Sequence, residues 1–317
     1  MKRKITVVGI SVAGLIVIIA VLALVLSDTF WAIGHNNSVL HKSDSVIAYS
    51  DNLKVFDIDS PQGFVYDVSN ETIIFTKGED KVVHPGSTTK LLTALYALTI
   101  LDPDEIITPK DELDLVKEGS SIAYILSTHK LSVEMLIEGM LVPSGNDAAF
   151  VLAAASGRRL AKDESLSGEE AVKVFIRGIN DYANKLGLCG TYFVSPDGYS
   201  GSEHYSTTED MAIIAKCAFE NDLIMKYTSM QSDHVIYASG HTNDWTNTNK
   251  LLDPQNEYYN EYVIGLKTGS LDNEYALIFA FRFDDGREYI AGVFGSDNKN
   301  TRYEDALSII SSLEKEH

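Results

Sequence analysis

The chain has 317 residues, enough for one large domain or two small ones, and an apolar fraction of 45% that can supply a full core. With 45 acidic against 26 basic residues its formal charge is −19, a surface that repels phosphate backbones and argues against nucleic acid as a partner. Two cysteines, Cys189 and Cys217, are too few for a disulfide scaffold. Whether they pair is left open, and Cys217, inside MAIIAKCAF, reads as a small buried hydrophobe.

Residues 1–4 form a basic stub, and residues 5–26 (ITVVGISVAGLIVIIAVLALVL) carry no charge. Twenty-two residues at about 1.5 Å each span roughly 33 Å, about one hydrocarbon core. Lys2, Arg3 and Lys4 precede the run, so the positive-inside rule predicts a single-pass anchor with everything after residue 26 outside the cytoplasm. The alternative is a cleaved signal peptide and a secreted product. The apolar run is longer than a signal peptide's, and SDTFWAIG offers no good cleavage site. Residues 27–45 are polar and aperiodic and read as a tether, and residues 46–317 as one folded domain.

Within that domain, GFVYDVSNETIIFTK (63–77) predicts a β-hairpin around Ser69-Asn70. KLLTALYALTIL (90–101), apolar on nearly every face, predicts a buried helix, and KLSVEMLIEGMLV (130–142) another. Residues 169–187 predict an amphipathic helix stopped by Gly187, and residues 207–221 a helix opened by a capping box of Thr207 with Asp210. Strand-like runs follow at 261–269, 275–283 and 288–296, the last two joined through Asp284-Asp285-Gly286, and a helix closes the chain at 302–316. Strands at both ends and helices between them predict an α+β domain with one mostly antiparallel sheet built from both chain ends.

The sequence has no G-x-S-x-G elbow, no P-loop, no H-E-x-x-H and no metal-ligand spacing among its histidines, so neither a metal nor a cofactor is expected. Ser-x-x-Lys, which on a helix sets a lysine beside a serine as a general base, occurs four times: at Ser87/Lys90, Ser127/Lys130, Ser296/Lys299 and Ser312/Lys315. Only Ser87 follows a Pro-Gly turn and precedes a buried helix, which places it at a helix N-terminus where negative charge is favoured. Ser-x-Asn occurs at Ser50, Ser144 and Ser296, and only Ser144-Gly145-Asn146 lies on a turn between two apolar helical stretches. Lys267-Thr268-Gly269 occurs once, at a strand end. There a cation, a hydroxyl and a glycine that permits close backbone approach would suit a carboxylate. Each pattern alone also fits a bland reading, as a solvated lysine, a helix cap or a strand entering a turn. Their order, nucleophile pair, Ser-x-Asn and then Lys-Thr-Gly, is what carries weight.

At these residues the chain resembles the low-molecular-mass D-alanyl-D-alanine carboxypeptidases, which are penicillin-binding serine peptidases. The resemblance extends through HPGSTTKLLTALYAL, GSSIAYIL, VPSGNDAAFVLA, NKLGLCGTYFVSPDG, HYSTTEDMAIIA, NTNKLL and GLKTGS, in that order. It implies a β-lactamase/transpeptidase-like fold and acylation by peptidoglycan stem peptides ending in D-Ala-D-Ala and by β-lactams. Carried over, Ser87 would be the nucleophile, Lys90 its base and Ser144 a proton relay. Asn146 would hold the substrate amide, and Lys267, Thr268 and Gly269 the carboxylate strand. The N–H groups of Ser87 and Ser270 would form the oxyanion hole. The chain departs from the family at Gly86, where alanine is common, and at Ser270–Glu274, where an aromatic and small residues are usual. The extra β-rich domain and C-terminal membrane helix of many relatives have no counterpart, and the N-terminal anchor would replace that tether. The same fold would also admit a D,D-endopeptidase or transpeptidase. A non-catalytic wall-binding or β-lactam-sensing protein would have no need for Ser87, Lys90, Ser144 and Lys267 together.

Overall fold

The structure, a computed structural model, describes residues 47–315. The expected anchor, tether and basic stub lie outside them. Among the described residues no helix is long and apolar enough to cross a membrane.

The described residues open with β1 (Ala48–Tyr49) and the hairpin β2 (Gln62–Asp67) and β3 (Thr72–Lys77), turning through residues 68–71 as predicted. A 3₁₀ turn at Gly86–Thr89 leads into α1 (Lys90–Leu98). The short strands β4 (Ile106–Ile107) and β5 (Leu131–Ser132) bracket the stretch before α2 (Val133–Leu141), α3 (Asn146–Ala161) and α4 (Gly168–Lys185). Next come α5 (Thr208–Phe219), α6 (Asp222–Thr228) and a separate hairpin, β6 (Ser232–Ile236) with β7 (Thr242–Thr246). The C-terminal part supplies β8 (Val263–Gly265), β9 (Thr268–Leu271), β10 (Glu274–Arg282), β11 (Glu288–Ser296) and α7 (Thr301–Glu314).

The seven-stranded sheet runs β1-β3-β2-β11-β10-β8, with β9 also on β10. Every pairing is antiparallel except β1 with β3, and β2 on β11 joins the two ends of the chain. The expected α+β architecture is therefore present. Both faces of the sheet are buried, which explains why its central strands read as unbroken apolar runs. Ala276, Ile278 and Ala280 of β10 face the helices α1 to α5, whereas Leu277, Phe279 and Phe281 face α7. On β2, Phe64 and Tyr66 take the first side and Val65 the second. Period-two alternation survives, but both sets are apolar.

Helix ends follow local chemistry, with one correction. Gly187, at φ +80, ends α4, and Leu188 N–H donates to the Ala183 carbonyl across it. At α5 only half of the expected capping box forms. Thr207 Oγ1 accepts from Asp210 N, but the Asp210 carboxylate turns inward to accept from Gly190 N–H and the Thr191 hydroxyl. Cys189 and Cys217 are both free, Cys189 exposed and Cys217 half-buried.

One ion pair is sealed inside the helical layer. Arg158 on α3 donates to Glu112 at 2.8 Å, with side-chain exposures of 3% and 0%. The Arg158 Nε also donates to the Leu166 carbonyl, and Glu112 accepts from Lys110 N–H. Removing one partner of such a pair leaves an uncompensated buried charge. Arg158→Ala should therefore lower the unfolding free energy by about 3–5 kcal/mol, read from urea denaturation. A loss under about 1 kcal/mol would show that the pair is solvated.

Candidate active site

The 3₁₀ turn at Gly86–Thr89 is tied down on every side. Thr88 donates to the Pro85 carbonyl through both its N–H and its hydroxyl, and Thr93 donates to the Pro196 carbonyl. Thr89 Oγ1 lies 2.8 Å from His204 Nε2. Val194 N–H donates to His204 Nδ1, so Nδ1 carries no proton and Nε2–H donates to Thr89. Burial first, then the neighbouring His84, lower the His204 pKa to about 3, so this imidazole, stacked on Phe193, is a neutral strut.

Three glycines let backbones close around that turn. A Cβ on Gly269 would lie 2.4 Å from the Pro85 carbonyl oxygen, and one on Gly198 would lie 1.9 Å from that of Gly86. Gly86 itself sits at φ +51, with the Ser270 backbone about 3 Å from where its Cβ would be. The glycine of Lys-Thr-Gly thus makes room for the protein's own nucleophile turn, not for a ligand backbone as the sequence suggested. The same packing sets the Ser270 backbone beside Gly86, the residue before Ser87.

Lys90, the first residue of α1, is fully buried, and its Nζ has three partners. It lies 2.7 Å from Ser87 Oγ, 2.7 Å from Asn146 Oδ1 and 3.1 Å from the Asp197 carbonyl oxygen. Burial lowers its pKa to about 8 against the opposing pull of Asp197 and Asp147. The amide oxygen and the carbonyl can only accept, so they fix two N–H groups. The third tetrahedral position points at Ser87 Oγ, as an N–H when the lysine is charged and as a lone pair when it is neutral.

Asn146 reaches this position because it opens α3 and donates its own N–H to the Ser121 carbonyl. Its neighbour Asp147 accepts from the N–H groups of Ala123 and Ile125, which pins the irregular segment around them beside the site. Burial raises the Asp147 pKa against those bonds. Ser144 lies on the same turn, buried and left-handed at φ +63. Among the described residues its hydroxyl makes no hydrogen bond to Ser87 or Lys90.

The strand expected at 261–269 is broken. Gly265 at φ +144 and Leu266 at φ +81 kink the chain between β8 and β9, and Lys267 occupies the kink. Its side chain is buried, with only long contacts to Thr248 Oγ1 (3.4 Å) and the Thr268 carbonyl (3.3 Å). Burial first, then Lys90 and Arg302, push its pKa well below the usual lysine value. Thr268 Oγ1 meets Thr248 Oγ1 at 2.6 Å. Three buried basic side chains, Lys90, Lys267 and Arg302, thus converge in a protein of net charge −19, and Lys267 has no carboxylate within ion-pair distance among the described residues.

Arg302 is the residue that sequence reasoning missed. From α7 it donates to the carbonyls of Gly269 (2.7 Å) and Ala276 (3.1 Å), clamping β9 against β10, and reaches Ser270 Oγ at 3.4 Å. No local pattern marks it. Thr248 and Asp147 were also unassigned, although both fall in segments that carried the family resemblance. The decoys are structural or exposed. Ser296 Oγ is bonded to Ser60 Oγ beside Asp305, Ser312 donates to the Ser308 carbonyl, and Ser127 and Lys130 lie at the surface.

A serine-lysine pair at the foot of a buried helix, flanked by an edge strand of a mostly antiparallel sheet with helices on both faces, is the β-lactamase/transpeptidase-like architecture. The family model for D-alanyl-D-alanine carboxypeptidases matches residues 48–298, and the chain belongs to that family. It is 32% identical over 262 residues to a Streptomyces D-alanyl-D-alanine carboxypeptidase, covering 78% of this chain and 85% of that protein. It is 28% identical to D-alanyl-D-alanine carboxypeptidase DacF of Bacillus subtilis and 28% to DacD of Escherichia coli, covering 73% and 77% of this chain. The chain spans only 56% and 60% of the length of those two. Among solved structures, a Streptomyces DD-transpeptidase matches at TM-score 0.72 and 30% identity, over 82% of this chain and 98% of that one. A penicillin-binding protein from Listeria monocytogenes in the ampicillin-bound form matches at TM-score 0.64 and 26% identity, over 81% and 98%.

Gly269→Ala should push β9 off the nucleophile turn. A displacement of about 1 Å at a reacting centre can cost about 10²-fold, so β-lactam acylation should slow by that order while the far-ultraviolet circular dichroism spectrum stays unchanged. Parental acylation rates would mean that the Pro85–Gly269 contact does not position the site.

Proposed function

We propose that this protein is a serine D,D-carboxypeptidase that removes the terminal D-alanine from peptidoglycan stem peptides through an acyl-enzyme on Ser87, and that β-lactams acylate the same serine. The observation that carries the proposal is Lys90 Nζ, buried and 2.7 Å from Ser87 Oγ, with its other directions taken by acceptors. Neutral Lys90 takes the Ser87 proton as Oγ attacks the carbonyl between the two D-alanines. The N–H groups of Ser87 and Ser270 receive the developing oxyanion, each such donor being worth about 10²–10³-fold. Lys267, with Thr268 presented by the Gly269 strand, binds the terminal carboxylate, and Arg302 lends the positive field. Asn146 spends its oxygen on Lys90, which leaves its NH₂ to donate to a substrate amide carbonyl. Ser144 relays the proton to the leaving amine, and water then releases the acyl group.

A second reading keeps the acyl-enzyme and changes its fate. The solved relative is named a DD-transpeptidase, so an amine acceptor would compete with water for the acyl group on Ser87. We also propose that residues 5–26 anchor the chain in the cell membrane, with the catalytic domain extracytoplasmic. Their support is the uncharged 22-residue run behind Lys2, Arg3 and Lys4. The full chain should then stay in the membrane fraction after a high-salt wash and leave it only with detergent. Recovery from the soluble fraction would refute the anchor.

The full chain should release D-alanine from a diacyl-L-Lys-D-Ala-D-Ala peptide, and Ser87→Ala should lose that release by about 10³-fold or more. Lys90→Ala should fold but acylate about 10²–10⁴-fold more slowly. Full acylation of Lys90→Ala by penicillin would refute the role of Lys90 as base. Because only the neutral amine accepts a proton, acylation should rise about tenfold per pH unit up to about 8 and then level off. A profile flat between pH 6 and 9 would contradict this assignment.

A further inference from the structure

None of the proposed roles assigns a task to the β6–β7 hairpin, which packs against the turn carrying Ser144 and Asn146. Its residues alternate. Ser232, His234 and Ile236 are exposed, whereas Asp233 and Val235 on β6 and Asn243 and Trp245 on β7 turn inward. Two of the inward side chains grip one peptide of the wall beside the site. Asn243 Nδ2 donates to the Ala123 carbonyl at 2.8 Å, and Trp245 Nε1 donates to it at 3.1 Å. The Ala123 N–H donates to Asp147, and two positions earlier the Ser121 carbonyl accepts from Asn146 N–H. Trp245 also lies against α2, where a Cβ on Gly139 would stand 3.0 Å from the indole and 3.3 Å from the Ala123 Cβ. The Gly139 carbonyl in turn accepts from Gly145 N–H. Hairpin, wall and turn therefore meet at one place, and the turn's Asn146 is what orients Lys90.

Beside Trp245 the hairpin is held to α2 by a pair of carboxyl groups. Asp233 is the direct cross-strand partner of Trp245. Glu138, next to Gly139 on α2, donates a hydrogen bond to Asp233. Glu138 is 4% exposed, and among the described residues its Oε1 has no hydrogen-bond partner. Two carboxylates have only acceptors, so this contact exists only while one of them keeps a proton. The charged groups facing Glu138 are Asp233 from the hairpin, Glu134 one turn earlier on α2 and Lys226 from α6. The Tyr227 and Tyr237 hydroxyls are close enough to feel its charge. The Lys226 ammonium is engaged elsewhere, 2.8 Å from Glu134. Burial first, then the bond to Asp233 and its charge, push the Glu138 pKa up from 4.5 to about 8. A carboxyl raised in this way stabilises the fold fully below its ordinary value, and that support is lost as pH rises through about 8.

We propose that Glu138 and Asp233 share one proton that latches the hairpin onto α2, and that its loss loosens the grip of Trp245 and Asn243 on the Ala123 peptide and with it the placing of Asn146 on Lys90. Glu138 is then a positioning residue, since it touches neither Ser87 nor Lys90. At neutral pH the latch is closed. In alkaline surroundings two like charges with little water between them drive β6 away from α2.

Trp245 reports on the latch directly, because the sequence has only one other tryptophan, Trp31. In the full chain carrying Trp31→Phe, Trp245 emission should shift to the red between about pH 6 and 9, with its midpoint near 8. Tyr237, 6.0 Å from Trp245, does not interfere, because burial raises its pKa above the ordinary tyrosine value. Glu138→Gln keeps the volume and still donates to Asp233, so it should abolish the shift. Asp233→Asn, which donates to an ionised Glu138, should abolish it too. On the D,D-peptidase reading, on which this arm alone rests, Glu138→Gln should match the parental rate of β-lactam acylation at about pH 6.5. At about pH 9 it should exceed the parental plateau by about tenfold or more. An unchanged Trp245 spectrum in the parent, or a shift that persists in either variant, would overturn the latch. Equal acylation by parent and Glu138→Gln at about pH 9 would overturn its hold on Asn146. Absence of acylation in folded parent would remove the peptidase reading instead, and the fluorescence would still decide the latch.

Discussion

Everything at this site depends on keeping one lysine dry. A solvated amine beside a serine would be protonated and would spend its time with water. Buried under α1, Lys90 has only Ser87, Asn146 and the Asp197 carbonyl to bond to, and none of them is a carboxylate. Desolvation lowers its pKa, and the two acceptors fix its orientation. The surrounding architecture supplies these conditions. The 3₁₀ turn sets the serine, the start of α3 brings the amide, and the loop through Asp197 and Gly198 closes the third side.

The closure has a steric basis as well as a polar one. Gly86, Gly198 and Gly269 come from three distant parts of the chain, and each gives up a side chain so that another backbone can approach. Arg302 then draws the Gly269 strand down onto β10 from the far face of the sheet. Arg302 and Lys267 together make a basic recess inside an acidic protein. The long-range field of the surface and the local field of the cleft therefore have opposite signs, as suits an anionic terminus that must be held at one point only.

Much of this was legible in the sequence, because three motifs in a fixed order constrain one another more than any does alone. The fold brings Ser87, Lys90 and Asn146 together, with Asn146 on Lys90, and the strands show as apolar runs that a sheet buried on both faces explains. What escaped was long-range or irregular. Arg302 acts through backbone carbonyls, which carry no sequence signature. The kink at Gly265-Leu266 needs a non-glycine residue at positive φ, which no pattern predicts. Asp210 follows the capping rule with its N–H and breaks it with its side chain, because Gly190 N–H and the Thr191 hydroxyl offered half-buried partners. The role of Gly269 was misread for a related reason. Sequence shows that a close approach is permitted but not which backbone makes it.

The pairing of β2 with β11 has a further consequence, for the order in which the molecule becomes reactive. The nucleophile lies early in the chain, whereas the strand that borders it and the arginine that fixes that strand come last. Asp59 and Ser60 are tied to Asp305 across some 245 positions. Such a fold has high contact order, and its central sheet cannot close until both ends have arrived. A chain still emerging would carry Ser87 and Lys90 without their dry enclosure, the lysine solvated and the serine inert. Activation is thus deferred to the last contact made, and the nascent protein needs no separate inhibitor to keep an acyl-transfer centre silent before it is folded.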